Sequence, residues 1–337
     1  MAASVPDDAW LRALPKAELH VHLEGSVTAD LAEAMAVRNG VRVPPRPPAA
    51  GYDDFMEFIR GYLALSKCFC TAADFADATV DLARRHAAQG VVWAEVTFTP
   101  ITHVVRGVDP AVIAEGLVQG RRRALDEYGV AYGWVFDVVR GFDDQAAPTL
   151  DFMRRVAALD PGSVVAIGLG GPEAHAPQVD GLVDVFAAAR AEGFAAVPHA
   201  GELVGPSSIR AAIDELGARR IGHGVRCIED PALVAELAAR QIPLEVCPTS
   251  NVRLGVAADY ASHPLPKLRA AGLALTLGSD DPTFFGSDLL GEYVACRDAY
   301  GWDRDEARWW AQSSIHHSLA PAADKTRWLE AIRALLS

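Results

Sequence analysis

Residues 18 to 26 read ELHVHLEGS, which sets His20, His22 and Glu24 at every second position. In an extended strand, side chains at that spacing share one face and project together into whatever it encloses. For an isolated HVH, the polar outer face of an edge strand is the plain alternative. Matching groups recur far downstream, however: His199 and Glu202 in PHAGE, His223 in RIGHGV, and Asp280 and Asp281 in LGSDDP. Neutral imidazole and carboxylate suit zinc, and three or four such ligands with one open position make a catalytic rather than a structural site. His20, His22, His199 and Asp280 supply that set, for one zinc per chain. Zinc makes water a nucleophile near neutral pH, so the chemistry implied is hydrolysis, with Glu202 and His223 left to move protons.

Positioning these groups requires elements that bring distant segments to one place. Eight apolar, β-branched-rich runs occur, at 17–24, 91–100, 130–139, 164–171, 195–202, 220–225, 243–250 and 273–282. Segments such as PAVIAEGLVQGRRRALDEYG, DGLVDVFAAARAEG and PALVAELAARQ lie between them, with apolar residues returning every three or four positions. Eight strand–helix units predict an α/β fold, a (β/α)8 TIM barrel formed by one domain over 1–337. A doubly wound sheet would place a glycine phosphate fingerprint after the first strand, and GSVTADLAEAM has none. The Pro-rich 41–55 reads as a loop leading to extra helices after strand one, and further helices run from Asp281 to the C-terminus. Catalytic groups of such barrels stand at the C-terminal strand ends, where His20, His22, Glu24, His199, Glu202, His223, Asp280 and Asp281 fall. His86, His103, His175, His263, His316 and His317 fall in helices or loops and receive no role.

The formal net charge of -13 opposes binding to nucleic acid or to anionic membrane surfaces. No basic stretch followed by an apolar core opens the sequence and no apolar run reaches eighteen residues, so a cytoplasmic location is expected. Five scattered cysteines, two of them in a C-x-C, indicate neither a disulfide framework nor a thiolate zinc site.

ELHVHLEGS, PHAGE, RIGHGV, LEVCPTSN and LGSDDP, in this order over residues 15 to about 293, resemble the adenosine deaminases and their relatives among the amidohydrolases. The resemblance implies one zinc on His20, His22, His199 and Asp280. Glu202 would protonate the purine N1, while His223 and Asp280 orient and deprotonate the attacking water. His22, Glu24, Gly171 and Asp281 would face the substrate, with the Gly171 amide toward N3 and Asp281 toward N7. No lysine ends a middle strand, where two-metal relatives carry a carbamate. Asp281 would also serve as helix N-cap ahead of PTFFGSDLL.

Two departures bear on the substrate. Adenosine deaminases carry aspartate where this chain has Glu24, and again after the second glycine of GLGGPE. Glutamate there resembles the adenine deaminases and the aminodeoxyfutalosine deaminases of the futalosine route to menaquinone, while FGSDLLGEY resembles the nucleoside-acting groups. The expected substrate is a 6-aminopurine nucleoside, aminodeoxyfutalosine ahead of adenosine and then adenine. A catalytically silent purine-binding barrel would be expected to have lost a ligand or the proton donor, and none is missing. Aminodeoxyfutalosine carries a carboxyphenyl group at the 5' end. Its slot would draw on Phe55, Phe58, Phe69, Phe98, Arg60, Lys67 and Arg106.

Overall fold

The computed structural model describes residues 4–49 and 51–335. The eight apolar runs form eight strands: β1 Lys16–His22, β2 Val91–Phe98, β3 Ala131–Val139, β4 Val164–Gly170, β5 Ala195–Ala200, β6 Ile221–His223, β7 Leu244–Val246 and β8 Leu275–Leu277. They pair in parallel in sequence order. β1, with every residue buried, shows why the strands read as continuous apolar runs: the barrel interior covers one face and helices cover the other. Between β8 and β1 the backbone closes the barrel through the Val21–Asp280 bridge, where His22 N–H donates to the Asp280 carbonyl at 2.8 Å and Asp280 N–H to the His20 carbonyl at 3.1 Å.

The strands end earlier than the apolar runs do. Glu24, expected to continue the alternation of β1, lies instead in a 3-10 turn, Glu24–Ser26, because the chain leaves the sheet after His22. The surrounding helices follow their local signals. Pro110–Tyr128 starts on Asp109, which accepts the Ala111 N–H, with proline in its first turn, and stops at the left-handed Gly129. Pro231–Arg240 is capped in the same way by Asp230. The insertion after β1 supplies the helices Phe55–Ser66 and Ala72–Ala88, and the C-terminal region supplies Leu289–Tyr300, Arg304–His317 and Ala322–Ala334. Arg304–His317 packs on the barrel wall, where Ser314 Oγ accepts the Ala17 N–H at 3.0 Å.

Aromatic side chains of β3, Tyr132, Trp134 and Phe136, fill much of the core. A charged trio is buried within it: Arg220 bridges Glu95 and Glu245, all less than 3 % exposed. Cys68, Cys70, Cys227, Cys247 and Cys296 are free. No helix among the described residues is long and apolar enough to cross a membrane.

Candidate active site

Barrel closure brings the first ligand candidates together. His20 and His22 project from the end of β1, and Asp280 follows β8 in a left-handed conformation, φ 62°. That conformation is rare for a non-glycine residue. It lets two consecutive carboxylates, Asp280 and Asp281, both face the mouth, since β8 has already ended at Leu277. Asp280 Oδ1 lies 3.3 Å from His22 Nε2 and 3.5 Å from His20 Nε2, while Asp280 Oδ2 accepts from Ser250 Oγ at 2.7 Å. His199, near the end of β5, faces His22 across 3.2 Å, Nε2 to Nε2.

These groups suit a divalent cation. His20, His199, His223 and Asp280 offer ligand atoms all within 4.8 Å of one another, and His22, Asp280 and Asp281 form a second such set. The first set holds His223 in the place expected for His22, which falls in the second set and lies 3.2 Å from His199 Nε2 and 3.3 Å from Asp280 Oδ1. His20 Nδ1 pairs with Glu245 Oε2 at 3.0 Å, which turns Nε2 toward the cluster, where it is buried without a hydrogen-bond partner. Burial lowers the pKa of His20 and His22, yet hydrogen bonds and the charges of Asp280, Glu245 and Asp281 outweigh it and raise them to about 10 and about 9. The cluster therefore attracts positive charge strongly, and its nitrogen and oxygen donors match zinc.

The proton-handling candidates surround the cluster. His223 Nε2 is 3.7 Å from Glu202 Oε1 and 3.8 Å from Asp280 Oδ2. Burial pushes His223 down to about 3, leaving a neutral imidazole at physiological pH. Burial also pushes Glu202 well above the usual carboxylate range, helped by Asp280 and Glu173, so its carboxyl holds a proton. Burial opposes ionisation of Asp280 as well, but the imidazoles of His20 and His22 beside it hold it well below that range. Adjacent carboxyls thus differ in charge, the pattern that separates an acid from a base.

Sequence reasoning overlooked the residue that seats Glu202. Glu173, of GLGGPE, accepts the N–H groups of Gly201, Glu202, Leu203 and Val204 at 2.7, 3.1, 2.7 and 2.9 Å, and the Ser208 hydroxyl. Its only local signal is a carboxylate soon after a strand end. Asn251 was overlooked too: its amide lies 3.4 Å from His223 Nδ1 and 3.1 Å from His263 Nε2.

The cluster opens into a cavity of about 560 Å³ lined by His22, His199, Glu202, His223, Asp280 and Asp281, and farther out by apolar side chains. Gly171 lies on its wall at φ +93°, a conformation that admits glycine readily. Phe55, Phe58, Lys67 and Arg106 line it as expected. Phe69 and Phe98 do not: both are fully buried and pack around His103, Phe98 stacked on its ring at 5.0 Å. Arg60 points to solvent near Asp54. Asp281 is the N-cap residue of the short helix Pro282–Phe285 by position only, for its side chain makes no cap bond and faces the cavity. Glu24 is fully buried and does not line the cavity; its Oε1 accepts from His103 Nε2 at 3.0 Å and from the Thr99 N–H at 3.3 Å. Arg106 Nη2 donates to His103 Nδ1 at 2.8 Å. His103, given no role from the sequence, therefore joins Glu24 to a cation of the cavity wall.

The sequence model described as adenosine deaminase matches residues 15–335. The chain belongs to the adenosine deaminase family. As a member it is a hydrolase acting on carbon–nitrogen bonds in amidines. It is 36 % identical to the aminodeoxyfutalosine deaminase of Streptomyces avermitilis over 94 % of this chain and 90 % of that one. It is 40 % identical to the adenine deaminase of Bordetella avium over 91 % and 97 %. Among solved structures, adenine deaminase from Arthrobacter aurescens superposes with a TM-score of 0.89 at 32 % identity, covering 96 % and 99 % of the two chains. A zinc-bound amidohydrolase from Burkholderia ambifaria gives 0.86 at 25 % identity, over 97 % and 92 %.

Proposed function

We propose that this chain, acting as one catalytic unit over its whole length, hydrolyses the C6 amino group of a 6-aminopurine nucleoside, with aminodeoxyfutalosine as substrate. The observation that carries the choice is the outer cavity. Beyond the reacting groups, Phe55, Phe58, Leu63, Ile101, Val105 and Phe142 make an apolar gallery, with Lys67 and Arg106 on its wall. A carboxyphenyl group fits that chemistry, apolar along its body and anionic at its tip; adenosine would leave the gallery unfilled. Glu24, longer than the aspartate of adenosine deaminases, ends on His103 and through it holds Arg106.

His20, His22, His199 and Asp280 would hold one zinc. Bound there, zinc supplies the Lewis acidity that makes water nucleophilic near pH 7. The protonated Glu202 donates to N1, which draws electron density from C6 and prepares it for attack. Neutral His223 and ionised Asp280 accept the water proton and aim the oxygen at C6. The amide of Gly171 faces N3 and Asp281 faces N7, where its raised pKa suits it as a donor: burial and the Asp280 charge keep its carboxyl protonated. The proton taken from water passes to the amino nitrogen, the C6 hydroxyl proton returns to Glu202, and ammonia leaves as the C6 oxo group forms.

Adenine is the second reading, favoured by the adenine deaminases among the relatives and by Glu24 lying behind the cavity wall. Turnover of aminodeoxyfutalosine, adenosine and adenine by the zinc-loaded protein, followed by the ultraviolet change from amino- to oxopurine, decides between them. Faster turnover of adenine or adenosine refutes the aminodeoxyfutalosine assignment.

A further inference from the structure

Asp137 belongs to none of the five motifs and has no part in the steps above, yet it lines the cavity near the end of β3, beside Val139, Gly170 and Gly171. It is 1 % exposed, and its Oδ1 is buried without a hydrogen-bond partner. Such an atom carries a desolvation penalty that a hydrogen-bond donor would relieve. The neighbouring strand is cut away to receive it: a Cβ on Gly168 would overlap Asp137 Oδ1, and one on Gly170 would overlap Oδ2. Two residues apart on β4, these glycines share one face. Glycine weakens a strand interior and often marks close approach of another group. Tyr62 Oη, a second buried atom without a partner, belongs to the same cavity.

Placement across the mouth indicates what the carboxyl meets. The reacting groups come from the ends of β1, β5, β6 and β8, and C6 of a bound purine is held among them. Asp137 comes from β3, and its carboxyl lies against Gly168 and Gly170 of β4, just before the Gly171 amide that the proposed pose sets against N3. N3 and N9 are both bonded to C4, so a group beside the N3 contact also faces N9 or its substituent. We propose that Asp137 is a specificity-determining residue that accepts a hydrogen bond from a donor at the N9 end of the substrate. That donor is a sugar hydroxyl in a nucleoside or the N9–H of a free base. The inference rests on the 6-aminopurine reading.

The test removes each partner in turn in the zinc-loaded protein. Wild type, Asp137→Asn and Asp137→Ala are compared on two pairs: the nucleoside turned over best with its 2',3'-dideoxy analogue, and adenine with 9-methyladenine. Zinc content and melting temperature are followed alongside, and the isosteric Asn variant preserves the comparison where Ala disturbs β4. In one pair, wild type is expected to lose about 10- to 100-fold in kcat/KM when the donor is removed, and the Ala variant less than about threefold, because its acceptor is already gone. Coupling in the first pair assigns the sugar hydroxyl, and coupling in the second assigns N9–H. Equal losses for wild type and variants in both pairs overturn the proposal and leave deamination standing. A wild type that turns over no 6-aminopurine refutes the functional reading, and this inference with it.

Discussion

Glu173→Gln tests how the site is held, because one buried carboxylate receives five donors. Oε2 accepts three N–H groups, from Glu202, Leu203 and Val204, and Oε1 accepts the Gly201 N–H and the Ser208 hydroxyl. Glutamine is best accommodated with its NH₂ at the Oε1 position, where Ser208 can rotate to accept. Gly201 N–H then faces a donor and stays unpaired, at a cost of about 1–3 kcal/mol. The three remaining bonds pass from a charged to a neutral acceptor and keep roughly half their strength. Together these changes amount to about 3–5 kcal/mol. Unfolding entropy is about 2.1 cal/mol/K per residue, so each kcal/mol moves the melting point of a 337-residue chain by about 1.4 °C. The expected fall is about 4–7 °C.

The effect on rate should exceed the effect on stability, because the released segment is the one that carries Glu202. Misplacement of an acid by an ångström costs on the order of 10²-fold. Steady-state turnover at saturating zinc, with amide hydrogen exchange across 201–204, measures both. The expected result is a kcat reduced about 10²-fold, with zinc retained and exchange accelerated in that segment. A variant with kcat within about twofold of wild type and unchanged exchange would refute the argument, since it would leave the five bonds without consequence for the acid they surround.

Three other substitutions separate the roles of individual groups. Glu202→Gln is expected to keep zinc and lose about 10²- to 10⁴-fold in kcat; unchanged turnover removes Glu202 from the chemistry. His199→Ala is expected to lose zinc, and full metal content after dialysis would contradict its place among the ligands. Glu292 lies apart from the reacting groups, with burial pushing its pKa up to about 7 and Oε1 unpartnered. Its folded pKa is above the unfolded one, so the folded chain binds the proton more tightly and stability falls as pH rises from about 4.5 to about 7. Glu292→Gln removes a penalty of about 3 kcal/mol above that window and almost nothing below it. Melting curves should show the variant about 4 °C above wild type at pH 8 and level with it at about pH 4. Equal shifts at both pH values would show that ionisation of Glu292 is not the cause.

The barrel and the grouping of histidines and carboxylates at its mouth were legible because their signals are local. Each strand is an apolar run, and a histidine or carboxylate at the end of such a run is conspicuous. Local signals also misled at the strand ends. The period-two alternation carries on through Glu24, but the backbone turns into a 3-10 segment after His22. Glu173, Asn251, His103 and Asp137 were not legible at all, for their meaning lies in partners remote in sequence. Glu24 and His103 are 79 positions apart, and His20 and its Glu245 are 225 apart. No periodicity records such pairs. Phe69 and Phe98 show the converse error, since composition cannot distinguish a ring that packs on His103 from one that lines the cavity.

What brings the histidines and Asp280 together is where the barrel closes. The bonds that join β8 to β1 run between backbone atoms of His20, His22 and Asp280, the same residues whose side chains meet at the centre. Closing the barrel and assembling the site are therefore one event. Asp280 and His223 both adopt φ near +60°, which costs on the order of 1–3 kcal/mol each for a non-glycine side chain. Such strain persists only where the surrounding structure over-determines it. Here the seam bonds hold Asp280 from its backbone side, while Ser250, His20 and His22 hold its carboxylate. A cation bound by His20, His22 and Asp280 would bridge β1 and β8 across this seam. Its binding energy would then strengthen the junction between the first strand and the last, and opening of the barrel at this point would release it.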